Sequence, residues 1–433
     1  MKIILTLSMS LLISANAAAI TQSEFVERLK NSHPFFTQQG FDAQTDQLDY
    51  VASTANRDWL LNASINSANR LNTSNTQSAN ATISATRSLV ATGADVTISN
   101  AWNEGVIDDK FSINYAQPLL KGVNGVNDQL NSDLSKINID IGALKIMQSE
   151  EQFILIQLFK LIDLSYAQQQ LILTTRRLAL SAKELTLVKD KFEQSVVDEV
   201  EVFLQEDTYQ RALQNQLRAE QALDLLKQEL AVTLKLPSKA IQTDFDLYQL
   251  YQSNLTNLPE QLQNDTTQMN IIKLEQVFLQ RQLLSDKNNT QAQLDLNLGA
   301  SHSDDSDWSI GLYLSYPLGD TKAKSDLEKT KIKLSKAKEG AAEQLMALTI
   351  DARVANKKIV HLGKLLKSYQ ARIKIAKSRA MAEKKRYELG NSQLSFVISA
   401  QNNVHDVNLE YAQAAVNYQK SVLDFKATID QLL

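Results

Sequence analysis

From Val123 to about Gln194 the chain contains no proline and only two glycines, Gly125 and Gly142, and from Lys322 to Leu389 it again contains no proline and only Gly340 and Gly363. Stretches so free of backbone punctuation leave little choice but long helices, each about 100 Å if unbroken at 1.5 Å per residue. The chain as a whole holds 12 Gly and 5 Pro in 433 residues, where average usage puts roughly 50 of the two together. That scarcity argues against a compact α/β enzyme built on many short loops. The absence of cysteine excludes disulfides, thiolate zinc sites and a catalytic thiol. A net charge of -4 gives no reason to expect nucleic acid as a partner.

Each long run ends in a short tip and then turns back. Ser195-Val196-Val197 precedes a returning helix from Glu199 to Leu236, and Leu389-Gly390-Asn391-Ser392 precedes another from Ser395 to Leu433. Leu213, Leu217, Leu223, Leu226 and Leu230 in the first returning helix recur at helical spacing. The reading is two long antiparallel hairpins, 123–235 and 322–433.

Two patches break this helical texture. Within 58–117 the sequence turns rich in Asn, Ser and Thr and alternates at Leu61-Ala63-Ile65, Ile83-Ala85, Val96-Ile98 and Phe111-Ile113-Tyr115. Within 293–317 the alternation returns at Leu294-Leu296-Leu298 and Ile310-Leu312-Leu314-Tyr316, with Trp308 and Tyr316 near its ends like an aromatic girdle. Period two with one apolar and one polar face describes strands between two different solvents. Beyond residue 19 no stretch reaches 18 uninterrupted apolar residues, so any entry into a membrane is expected to be by strands. Residues 1–19 read as a secretory signal, with Lys2, an apolar run and small residues before cleavage.

Strands, long helix, tip and returning helix thus occur twice. The first repeat covers 20–235, a linker runs over 236–267, and the second repeat covers 268–433. Placing Lys191 to Leu230 over Arg386 to Phe425 matches only Glu193 with Glu388, Val202 with Val397 and Ala219 with Ala414. The repeat therefore rests on element order and on the strand-to-helix junctions at Pro118 and Pro317.

These pieces resemble the TolC-like outer-membrane efflux channel family. The carrying segments are Phe111 to Gly122 (FSINYAQPLLKG), Trp308 to Gly319 (WSIGLYLSYPLG), Leu234 to Pro237 (LKLP) and Arg386 to Gly390 (RYELG). The alternation around Gly93 also resembles members with an extra hairpin before the first junction. The resemblance implies a mainly α fold, with long coiled-coil hairpins and strands contributing to a trimeric 12-stranded transmembrane barrel, four main strands per protomer. It implies an outer-membrane location in a Gram-negative bacterium, with a long periplasmic helical portion. The implied partners are two further copies, outer-membrane lipid, a periplasmic adaptor and an inner-membrane transporter of ABC, RND or MFS type. The implied function is a passive channel-tunnel in a tripartite efflux pump or type I secretion system, exporting small molecules or proteins. Phe111, Ile113, Tyr115, Ile310, Leu312 and Leu314 would then face the membrane. A periplasmic adaptor is the rival reading, but it predicts one hairpin within β-domains.

The tips are the candidate entrance. Asp198, Glu199 and Glu201 belong to an acidic run from Glu193 to Asp207 without Lys or Arg, either a cation-attracting ring or an ordinary acidic helix start. In the family, two acidic positions near the second tip constrict the entrance. Phe396 and Ser399 occupy them here, so the expectation is an apolar ring at Phe396 with Glu201 nearby, set against the plainer reading of Phe396 as a packed helix residue. Tyr387 matches a family tyrosine that bonds between hairpins, and Ser392 replaces a basic partner. Thr321 to Tyr387 carries 19 Lys+Arg against 6 Asp+Glu, read as a solvated face. The four His are scattered, and no nucleophile motif or phosphate loop occurs. The expectation is a chain with no catalysis, metal or cofactor.

Overall fold

The computed structural model describes residues 19–70, 76–103, 109–252 and 257–432, so all but the last residue of the expected signal lies outside it. Helix α1 (Gln22–Ser32) starts at Thr21, whose Oγ1 accepts from the Glu24 N–H at 3.3 Å. It stops at His33, held extended (φ -84°, ψ 132°) as a residue before proline must be, and Pro34 opens α2 (Pro34–Ser53). The long helices are α3 (Leu130–Glu193, 64 residues) and α7 (Thr321–Glu388, 68 residues). Their returning partners are α4 (Glu199–Leu234) and α8 (Leu394–Thr428). Two shorter helices, α5 (Leu258–Asp265) and α6 (Thr267–Asn289), precede the second strand patch.

The duplication that residue identity conceals is visible in the backbone. At the two tips the N–H groups of Val196 and Asn391 donate five residues back, to Lys191 and Arg386, at 2.9 and 2.8 Å. At the far ends of the returning helices Leu236 and Gln431 do the same to Ala231 and Lys426, at 2.9 and 2.8 Å. Each pair stands 195 residues apart. The preceding residues, Ser195, Gly390, Lys235 and Asp430, are all left-handed. Four helix ends of one type at one offset mean that the two hairpins share their turn geometry with no insertion between tip and helix end.

Six strands, β1 (Leu60–Arg70), β2 (Thr76–Leu89), β3 (Ala94–Asn103), β4 (Lys110–Pro118), β5 (Gln293–His302) and β6 (Ser306–Ser315), form one antiparallel sheet in chain order. The hairpin around Gly93 is thus two full strands, β2 and β3, beside the four main strands that the resemblance implies. The register produces one row across all six strands, Leu61, Ala85, Ile98, Ile113, Ala300 and Trp308. The next row reads Asn62, Ser84, Ser99, Ser112, Ser301 and Asp307. One face is therefore predominantly apolar and the other polar, and neighbours on the polar face bond across strands. Thr86 and Thr97 hydroxyls share a hydrogen bond at 3.1 Å, and Ser99 and Ser112 share one at 2.7 Å.

The chain divides into two compact units, each drawn from both halves of the sequence. One holds Gln38–Gln148 and Pro259–Ala347, with the whole sheet; the other holds the segments up to Thr37, Ser149–Leu258 and from Leu348 onward, with both tips. In the sheet unit the β2–β3 turn is wedged against the first strand-to-helix junction. A Cβ on Gly93 would lie 2.3 Å from the Gly122 carbonyl oxygen, and one on Gly125 would lie 1.7 Å from that of Val90. Gln129 Nε2 donates to the Val90 carbonyl at 3.0 Å, and Gln117 Nε2 donates to that of Thr92 at 3.0 Å. In the other unit the core runs along α3 (Ile154, Leu158, Leu161, Ile162) and α8 (Ala415, Tyr418, Val422, Phe425). The linker is tied to α8, because Gln419 Nε2 donates to the Leu247 and Gln249 carbonyls and the Tyr418 hydroxyl accepts from the Tyr251 N–H at 2.8 Å.

Candidate functional site

The two tips meet through a small apolar cluster. Val188 of α3, Val202 of α4, and Leu394 and Ile398 of α8 are buried together, with Val197 and the Tyr387 ring packed against them. Leu394 and Ile398, four apart on α8, share one face of that helix. Above this cluster the Tyr387 hydroxyl donates to Glu201 Oε2 at 2.8 Å, a bond from the second hairpin to the first. Lys191 Nζ lies 4.5 Å from the centre of the same ring, in reach of its negative face. Burial, followed by the hydrogen bond to Glu201, raises the Tyr387 pKa above its ordinary value. The phenol therefore stays a neutral donor throughout the ordinary pH range.

The other sequence candidates fall around this contact. Phe396 is 54% exposed, not packed in the cluster, although Val397 and Ile398 beside it are buried. Val196, Val200 and Phe203 at the first tip are also exposed, so apolar surface surrounds the tips. Asp198 occupies the cap position of α4 without a side-chain capping bond, and Glu199 and Glu201 lie in the first turn. Gly390 is left-handed (φ 74°) and open on its Cβ side, its glycine required by backbone conformation. Ser399 is exposed and Ser392 Oγ donates to Glu383 Oε2 at 3.0 Å, within its own hairpin.

The strand candidates occupy one sheet face. Phe111, Ile113 and Tyr115 pair with His302, Ala300 and Leu298, and Ile310, Leu312 and Leu314 pair with Leu298, Leu296 and Leu294. Pro118 is the last residue of β4, opposite Asp295, whereas Pro317 lies beyond β6, two residues before the left-handed Gly319 (φ 98°). Neither proline has an N–H to donate, and at Pro118 the pairing continues past it, since the Leu119 N–H donates to the Leu294 carbonyl at 2.7 Å.

Sequence reasoning did not single out Lys191 and Phe192, although the alignment of Lys191 over Arg386 sets Phe192 over Tyr387. It also passed over Arg177, buried on α3, whose guanidinium donates to Asn402 Oδ1 at 2.9 Å while burial lowers its pKa. Such pairs, far apart in sequence, leave no periodic trace. Among the described residues no group of three or more His, Asp or Glu is placed to hold a metal, and no helix is long and apolar enough to cross a membrane.

No protein-family profile matches the sequence, and no curated protein does. Solved structures share its fold. CusC, studied for transmembrane channel formation, superposes with a TM-score of 0.73 at 10% identity over 97% of this chain and 95% of that one. A membrane protein from Pseudomonas aeruginosa gives 0.72 at 13% identity over 94% and 93%. The outer-membrane channel CmeC of Campylobacter jejuni gives 0.70 at 10% identity over 95% and 86%. The chain thus has the fold of these channels along nearly its whole length.

Proposed function

We propose that this chain is one protomer of a homotrimeric, passive outer-membrane conduit in a Gram-negative bacterium, with its helical hairpins forming a tunnel in the periplasm. The observation that carries the reading is the sheet: one apolar face, one polar face, and two outer edges, on β1 and β6, that pair with nothing among the described residues. Lipid does not tolerate an open edge, and six strands fall short of the eight of the smallest bacterial barrels, so further copies must supply the closure. Helix α7 supports the same conclusion. It buries Ala352, Ile359 and Leu366 at seven-residue spacing, a coiled-coil seam, while Ile350, Val354 and Ile375 remain exposed to be covered by neighbours.

In this reading the tips form the periplasmic entrance and meet an adaptor, through which an inner-membrane transporter of ABC, RND or MFS type supplies the energy. The sequence holds no phosphate loop of its own, and the role is conduction without catalysis, in efflux or in type I secretion. Phe396 contributes an apolar ring at the entrance, while Tyr387 and Glu201 latch the hairpins of one protomer together. Acidic residues Asp198 and Glu199 bias passage toward cations. Single-channel recording of detergent-extracted protein in planar bilayers tests the conduit, with discrete, cation-preferring openings expected. Well-folded protein that neither inserts nor conducts would overturn it.

A further inference from the structure

We propose that all six strands of each protomer enter the barrel, which therefore closes with eighteen strands in three copies, the β1 edge of one protomer pairing with the β6 edge of the next. This rests on the conduit reading above and replaces the twelve strands that the family resemblance implies.

The first support is the register. Ala85 and Ile98 continue the apolar row, and Ser84 and Ser99 the polar row, between β1 and β4 without a break. A hairpin destined for water on both sides has no need of that two-faced pattern; a segment of barrel wall does. The second support is the turn. Val90 and Ala94 are buried, Gly93 and Gly125 permit backbone approaches that no side chain would allow, and Gln117 and Gln129 bond the turn's carbonyls. To leave the sheet, the hairpin would have to break these contacts and the Ser99–Ser112 bond, so that β1 could reach β4.

The edges themselves fit a second copy. Because the strands alternate in direction and are even in number, β1 and β6 run antiparallel, and joining one to the other continues the up-and-down order around the ring. Their lengths, 11 and 10 residues, match. Exposed Leu61 and Ile65 on β1, and Trp308, Ile310 and Leu312 on β6, bring the same apolar face to the seam. Barrel diameter grows about linearly with strand number, so the lumen is about half again as wide as a twelve-stranded one, in the range of porins that hold an aqueous channel. The sheet then imposes little restriction, and selection falls to the tips.

The chain has no native cysteine, so paired cysteines report strand neighbours directly. In full-length protein reconstituted as conducting channels, Leu61→Cys with Ala85→Cys and Ile98→Cys with Ile113→Cys are expected to form disulfides within one chain. Leu61→Cys with Ile113→Cys is expected to form none. Ala63→Cys, paired in turn with Trp308→Cys, Ile310→Cys or Leu312→Cys, is expected to give a cross-linked ladder that ends at three chains. Efficient Leu61–Ile113 bonding, or a ladder ending at two, overturns the eighteen-stranded barrel. Single nitroxide labels that need no pairing guard against variants that misfold: at Ile98 a label should meet lipid-dissolved oxygen, and at Ser99 a water-soluble nickel chelate. Water access at both positions counts against the proposal. Wild-type conductance is recorded in parallel, so that channels with β1 beside β4 sink only the strand count, whereas wild-type protein that never inserts sinks the conduit itself.

Discussion

The first tip leaves its helix through Ser195 (φ 56°) and the second through Gly390 (φ 74°), and the third residue of each returning helix donates to its cap residue at 3.1 Å, Glu201 to Asp198 and Phe396 to Gln393. The backbones are equivalent; the side chains are not. Where the first tip carries Phe192 and Glu201, the second carries Tyr387 and Phe396 at the same places. The polar member of each pair is used across the hairpins, Tyr387 to Glu201 at 2.8 Å, while the aromatic members Phe192 and Phe396 keep 43% and 54% of their surface exposed. One duplicated turn thus supplies a latch from one diagonal and free apolar surface from the other. Duplication fixes the positions, and divergence at those positions creates the chemistry.

The largest effect on conductance should come from the exposed diagonal. With Phe396 as the constriction, Phe396→Ala raises single-channel conductance several-fold, because an apolar ring limits flow by excluding water. Phe192→Ala, the same truncation at the related position, should change it far less. Equal effects of the two truncations would mean that the tips share the restriction; no effect of either would remove the gate and leave the conduit.

The latch acts on how often the channel opens, not on the current an open channel passes. A hydrogen bond to a charged group contributes about 1.5–3 kcal/mol, and this half-exposed one about 1–2 kcal/mol, or a roughly 5- to 30-fold shift in the opening equilibrium. Tyr387→Phe is expected to raise open probability by that factor, and the double variant with Glu201→Ala to add little more. Additive effects would show that the two residues do not act as a pair. The pH dependence follows from the raised Tyr387 pKa, since the neutral phenol is the form that donates. Its contribution is complete below the ordinary value of 10.0 and is lost only as pH rises through the raised one. The difference between wild type and Tyr387→Phe should therefore be flat from pH 7 to 10.

Neutralising Asp198 and Glu199 together is a smaller perturbation, because both carboxylates are exposed and screened. Cation preference should fall at low ionic strength and differ little from wild type at high. A preference unchanged at low ionic strength would assign the acids to the helix start alone.

How far this comparison could be read from the sequence depends on what each feature leaves in the chain. Tip positions were legible because a helix of more than 60 residues needs a definite stop, and Ser195 and Gly390 stand where such stops belong. The strand patches were legible only in fragments such as Leu61-Ala63-Ile65 and Val96-Ile98. Ala81 and Ala85 on the apolar face of β2, and Asn100 on that of β3, stand where large apolar residues would mark the face and so blur the alternation of a full strand. The register that joins Ala85 to Ile98 and Ile113 is a property of pairing, not of any one segment. The Tyr387–Glu201 bond spans 186 residues and came from family resemblance for Tyr387, while Lys191 beneath the same ring left no signal.

The smallest effect tests the premise that the two turns are one motif. A left-handed residue with a side chain costs about 1–2 kcal/mol relative to its right-handed form, a cost that glycine avoids while losing more freedom on folding. Ser195→Gly should therefore stabilise the first tip by about 0.5 kcal/mol, and Gly390→Ser should destabilise the second by a similar amount. The space around Gly390 is open, so the serine meets no clash and the backbone term stands alone. Hydrogen exchange of the amides at Val196 and Asn391, which close the two turns, reads each change locally where a melting curve of a large assembly would not. Opposite shifts of comparable size fit a single motif inherited twice. Shifts of the same sign would mean that the turns only look alike, and that the asymmetry of the tips begins in the backbone, before any side chain is chosen.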